Sequence, residues 1–149
     1  MIEGLSASKD RLSAAAARFA SPGLHWLALL GLCAAYLQGG IVKAVDFQGA
    51  VGEMAHFGLT PALPFAVLVI VLELGASALI LTGYYRWIGA LALAIFTLMA
   101  TFMANRFWNA APPERFMMEN GFFEHLGLVG GFLLVAWHDL KSRGARNFS

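Results

Sequence analysis

The stretch 67-VLVIVLELGASALIL-81 decides the fold. It has the length and apolar character of a membrane-crossing helix, except that a carboxylate, Glu73, sits inside it. A charged side chain at the centre of such a helix costs about 2.5–3.5 kcal/mol on insertion scales. Glu73 therefore needs company from other parts of the chain, and the rest of the sequence can be read for what supplies it.

The surroundings agree with a membrane setting. Of the 149 residues, 59% are apolar and 13% charged, with a mean hydropathy of +0.68. Soluble domains run at about 45–50% and about 25%. The net charge of +1 leaves no clustered basic face, which excludes a nucleic-acid partner. The single cysteine, Cys33, can form no internal disulfide, and its apolar neighbours make it a small apolar filler.

Four apolar runs are each long enough to cross a hydrocarbon core: about 24–44, 61–81, 87–107 and 121–137. In lipid every backbone polar group must be paired internally, which makes each run a helix. Pro61 and Pro64 open the second run, Gly83 ends it, and Pro112 and Pro113 separate the third from the fourth. The short link after Gly83 makes the second and third helices antiparallel neighbours. The expected fold is all-α, a membrane four-helix bundle with antiparallel neighbouring helices. Small residues at close-packing intervals, Gly31, Ala35 and Gly39 in the first run and Gly127 and Gly131 in the fourth, suit such a bundle.

Lys and Arg set the expected orientation. Seven of them (Lys9, Arg11, Arg18, Arg86, Lys141, Arg143, Arg146) fall on one side and three (Lys43, Arg106, Arg115) on the other. The positive-inside rule then puts both termini in the cytoplasm. Residues 1–23 form an N-terminal cytoplasmic segment, 24–138 the four-span domain and 139–149 a cytoplasmic tail. Trp26, Trp87, Trp108 and Trp137 lie near span ends, as an aromatic belt requires. Residues 8–20 are alanine-rich and suit either a short interfacial helix or a disordered leader. For a bacterial chain the location is the inner membrane, multi-pass.

With this topology the polar residues of the spans gather in the outer half. Glu73 lies roughly 18 Å below Pro61 at 1.5 Å per residue, near the midplane. Gln38 and Lys43 of the first helix, Asn105 at the end of the third and His125 of the fourth lie above it. The inner half offers only Ser77 and Thr82. The pattern points to a polar pocket open to the periplasm, with His125, Gln38 and Lys43 as partners of Glu73. Glu73 and His125 are the candidate catalytic residues, and Gln38, Lys43 and Asn105 the candidate substrate-binding ones. The competing reading makes Glu73 a hydrogen-bonded fastener of the bundle. No metal site is expected: Glu124 and His125 point about 100° apart on a helix, and no His-x-x-x-His pair occurs.

The segments 31-GLCAAYLQGGIVKAVDF-47, 58-GLTPALP-64, 72-LELGASALILTGYYR-86 and 122-FFEHLGLVGGFLL-134 together resemble the DoxX family of small four-span membrane proteins. The resemblance runs over about residues 24–138. It implies a subunit or companion of a membrane redox system; one branch is similar to the small subunit of thiosulfate:quinone oxidoreductase, and others accompany sulfur-handling or detoxifying enzymes. Carried onto this chain, the motif positions are Lys43, Glu73 and His125. One departure is Asn105, where relatives often carry a histidine.

Three functions compete. In the first, the pocket holds a quinone head group or small polar substrate, no cofactor is bound covalently, and another membrane oxidoreductase subunit supplies the electron carrier. In the second, the chain is a non-catalytic membrane anchor or assembly factor. The third, a solute transporter, ranks last, because four uninterrupted spans are few for alternating access.

Overall fold

A chain whose backbone must satisfy itself in lipid folds into helices, and the computed structural model is helical, with no strand among the residues it describes, 13, 17 and 21–147. The elements are α1 (Pro22–Val45), α2 (Phe47–His56), α3 (Ala62–Thr82), α4 (Arg86–Ala104), a 3₁₀ turn (Phe107–Asn109) and α5 (Pro112–Asn147). The expectations for Lys9, Arg11, Arg18 and most of the alanine-rich 8–20 segment fall outside the described residues. The chain divides into two compact units, residues 1–31 and 32–149. In the first, Ser21 opens α1: its hydroxyl accepts from Leu24 N at 3.3 Å, with Pro22 in the first helical position.

The second unit is the helix bundle expected from the sequence. Its interior is rich in small and hydroxyl-bearing residues, with Ala66, Ala76, Ser77, Ala90, Ala94, Thr97, Thr101 and Ala136 buried beside the larger Ile80, Leu93 and Phe132. Its surface carries Val67, Val71, Ile95, Leu98, Leu133 and Leu134, all exposed. This arrangement suits a hydrocarbon solvent, which gives large apolar side chains no reason to hide and lets small ones bring backbones together. Gly89 marks the closest approach. A Cβ there would lie 2.5 Å from the carbonyl oxygen of Ala76, so α3 and α4 touch backbone to backbone near the turn that joins them. Gly83 closes α3 with φ +79°, a conformation that glycine adopts without strain. Leu32 of α1 packs over Gly131 of α5, and Tyr36 stacks edge-on to Phe132 at 5.3 Å.

Three features depart from the sequence reading. The link between α1 and α3 is itself a helix. Asp46 caps it by accepting from Gly49 N at 2.9 Å, and Ala50 and Met54 bury against Ala66 of α3. By length and composition three helices qualify as membrane spans: Pro22–Val45, Ala62–Thr82 and Arg86–Asn109. The expected fourth span lies within α5, whose apolar stretch is diluted by Glu124 and His125 and which continues helical through residues 139–147 of the expected tail. Finally, the end near Gly83 is richer than Ser77 and Thr82. Buried Asp139 accepts from the free N–H of Trp87 at the start of α4 (3.2 Å) and from Arg143 Nε (2.9 Å). A carboxylate at a helix N-terminus meets both unpaired donors and the positive end of the dipole. Arg143 also lies over the Tyr85 ring at 5.4 Å.

The Gly89 contact makes a prediction. Gly89→Val should destabilise the protein in detergent by about 1–3 kcal/mol through overpacking. Gly75→Ala, whose new Cβ meets nothing within 4 Å, should not. Thermal denaturation monitored by loss of the monodisperse species compares the two.

Candidate functional site

The two joined helices that touch at Gly89 and Ala76 leave a space further along. A cavity of about 660 Å³ is lined on α3 by Phe65, Leu68, Val69, Leu72 and Glu73, and on α4 by Ala92, Ile95, Phe96, Met99, Ala100 and Met103. Both sets recur at three- and four-residue intervals, so each is one face of its helix. The residues of α4 that enter the bundle, Ala90, Leu93, Ala94, Thr97 and Thr101, belong mainly to a different face. Tyr36, Gln38, Gly39 and Lys43 of α1, Glu53 and Met54 of α2, and His125 of α5 also line it.

Glu73 finds its partner in Lys43. The Lys43 Nζ lies 3.2 Å from Oε1 and 3.3 Å from Oε2, and the two side chains are 16% and 7% exposed. One ammonium thus bridges both carboxylate oxygens. Gly39 and Gly40 make the approach possible. A Cβ on Gly40 would lie 2.8 Å from the Leu74 side chain, and one on Gly39 would lie 3.4 Å from Nζ and 3.5 Å from Oε2. Glu53 adds a second carboxylate to the cavity wall.

A second polar group lies on the other side of the cavity. The Thr97 hydroxyl donates its one proton to Leu93 O at 2.6 Å, so Tyr36 Oη donates to Thr97 Oγ1. The Thr101 hydroxyl likewise donates to Thr97 O at 2.6 Å. Its oxygen, 3.0 Å from His125 Nδ1, is therefore an acceptor, and the proton belongs on Nδ1. The Asn105 amide, also 3.1 Å from Nδ1, completes this arrangement with its oxygen toward the ring, a half-turn of a group whose two ends are interchangeable. Gly121 leaves room for that amide: a Cβ there would lie 3.3 and 3.5 Å from its two terminal atoms. In the neutral ring Nε2 is then an unprotonated acceptor. It makes no bond to the described residues, and His125 lines the cavity.

The sequence-predicted residues thus divide. Lys43 joins Glu73. His125 does not; it is held by Thr101 and Asn105, which corrects the expectation of a Glu73–His125 contact. Gln38 lines the cavity but makes no bond to Glu73 among the described residues. Arg106 turns back to the carbonyl of Phe102 at 2.9 Å and satisfies the end of α4. Glu124 is exposed and outside the cavity lining. Sequence reasoning missed Tyr36, Thr97 and Thr101. The signal was present in 97-TLMATFMAN-105, where Thr97, Thr101 and Asn105 recur every four residues and so fall on one helical face. Among the described residues no three of His, Cys, Asp and Glu gather as metal ligands would.

Long apolar helices, small residues at their contacts and a paired carboxylate within a span define an integral membrane protein of the polytopic helical class. The DoxX family profile matches residues 25–106, more than half of the chain, and the chain belongs to that family. It is 25% identical over 117 residues to the inner membrane protein YphA of Escherichia coli (strain K12), an alignment that covers 78% of this chain and 84% of that protein. No solved structure matches.

Removal of one member of the ion pair leaves the other buried and unpaired. Lys43→Met should destabilise the protein by about 3 kcal/mol, the lower end of the range for a broken buried pair. Lys43→Met with Glu73→Gln should recover most of that loss. Thermal stability of the two single variants and the double variant in one detergent checks the coupling.

Proposed function

We propose that this chain is a subunit or companion of a membrane redox system and that its cavity binds the head group of a quinone or a similar small polar ring. The observation that carries the reading is the cavity itself. A carboxylate–ammonium pair that only fastened helices would need no space of about 660 Å³ beside it. Here the pair, His125, Phe65 and Phe96 line one volume within the range of small-molecule pockets.

The residues fit such a ring. Lys43 Nζ is a donor for a carbonyl oxygen, His125 Nε2 an acceptor for a hydroxyl, and the apolar walls exclude water. When bound, a quinone supplies two-electron, two-proton chemistry, and the electrons would come from a partner oxidoreductase. Glu73 and His125 would hold or release protons at the ring oxygens, while Thr101 and Asn105 keep Nδ1 protonated and Nε2 open. Gln38 lines the same volume as a further hydrogen-bonding group.

The DoxX membership and the likeness to an inner membrane protein support a bacterial inner-membrane location. The seven-to-three Lys and Arg distribution supports four crossings, with α5 as the fourth, both termini in the cytoplasm and the His125 end toward the periplasm. Single cysteines introduced in a Cys33→Ala background at Ser142 and Asn109 test this. An impermeant maleimide added to intact spheroplasts should label Asn109→Cys and spare Ser142→Cys.

Glu73→Gln in the Lys43→Met background tests the function, because this double variant keeps most of the stability that either single change loses. It should abolish the linked respiratory activity while the protein still accumulates in the membrane, and a redox enzyme should co-purify with the wild type in mild detergent. A role as anchor or assembly factor predicts that the double variant leaves the phenotype intact, and that truncation of the α5 tail does the damage.

A further inference from the structure

The space between α3 and α4 has an open side. Leu68, Ile95 and Met99 line the cavity and are also 56%, 60% and 61% exposed. Leu68 lies about 9 Å from the start of α3 and about 21 Å from its end, at 1.5 Å per residue. The opening is thus rimmed by large apolar side chains within the length of the spans. At that depth an exposed apolar rim meets acyl chains.

The dimensions select the occupant. The lining of α4 runs from Ala92 to Ala104, about 18 Å. A single extended hydrocarbon chain fits a slot of that length walled by Leu68, Leu72, Ile95 and Met99. At the polar side stand Lys43 with Glu73 and the acceptor Nε2 of His125.

We propose that the slot between α3 and α4 admits a long-chain amphiphile sideways from the bilayer. Its head group, with both hydrogen-bond acceptors and donors, reaches Lys43 and His125, and its chain lies between Leu68 and Leu72 on one wall and Ile95 and Met99 on the other. This rests on the reading of the cavity as a ring-binding site and adds the route and the need for a tail.

The test uses the full chain in lipid nanodiscs and two probes kept reduced: a dimethoxy-methylhydroquinone with a ten-carbon chain, and the same ring without the chain. A version of the first with a diazirine at the chain end is photolysed and the labelled residues are mapped by mass spectrometry. Label should fall on Leu68, Ile95 or Met99. Ile95→Trp and Met99→Trp should weaken the tailed probe at least tenfold, while Leu134→Trp, on an exposed position of α5 outside the lining, should change it less than twofold. If the tail-less ring binds as well as the tailed one and the slot variants change neither, the lateral slot is overturned and the ring site stands. If label is spread over Leu134 and other lipid-facing positions, the slot is likewise overturned. If wild type binds neither probe, the ring site falls and the slot with it.

Discussion

A single carboxylate in hydrocarbon sets the terms for this protein. Glu73 lies in the middle of α3 among residues that belong in lipid, and among the described residues only Lys43 brings a full opposite charge to it. Coulomb attraction in so apolar a setting is strong, but so is the cost of taking two ions out of water, and the balance is favourable only with good geometry. The geometry comes from what is missing. Gly39 and Gly40 have no side chain to hold α1 away from α3, so the ammonium arrives within 3.3 Å of both oxygens. The close helix crossing and the ion pair depend on the same two glycines.

From that crossing the rest of the site follows. Helix α4 shows one face to the bundle, rich in alanine and threonine, and another to the cavity, rich in large apolar residues. Backbone contact at Gly89 fixes it against α3 at one end. Toward the other end Thr97 and Thr101 tie it to Tyr36 and His125 across the bundle. The threonines give their own protons to the preceding turn and so act as acceptors toward the interior. That simple count of protons fixes the tautomer of a histidine that lines the cavity.

The sequence made the architecture plain because length and hydropathy carry that information directly. Four apolar runs became long helices, and the breaks at Gly83 and Pro112 fell where the structure turns. Glu73 and Lys43 were legible as charges with nowhere else to go. Other parts were harder to read. His125 was assigned to Glu73 because depth along a span is readable while direction around it is not. The direction is set by Thr101 and Asn105, whose four-residue spacing is a weak signal in a helix full of apolar residues. Asp139 looked like part of a tail because its burial depends on α4 beginning beside it. The α2 helix was hidden because a ten-residue link with few large apolar groups resembles a loop until Met54 finds Ala66.

The length of α5 has a mechanical meaning. Thirty-six residues make a rod of about 54 Å, whereas the hydrocarbon core is about 30 Å deep. With α5 as the fourth crossing proposed above, roughly two fifths of it would project beyond the oily layer. The Asp139 clasp on Trp87 grips this rod at one level and His125 engages it at another. A neighbour that grasps its free end would hold a lever rather than a leash, and a twist applied there would be felt at the imidazole.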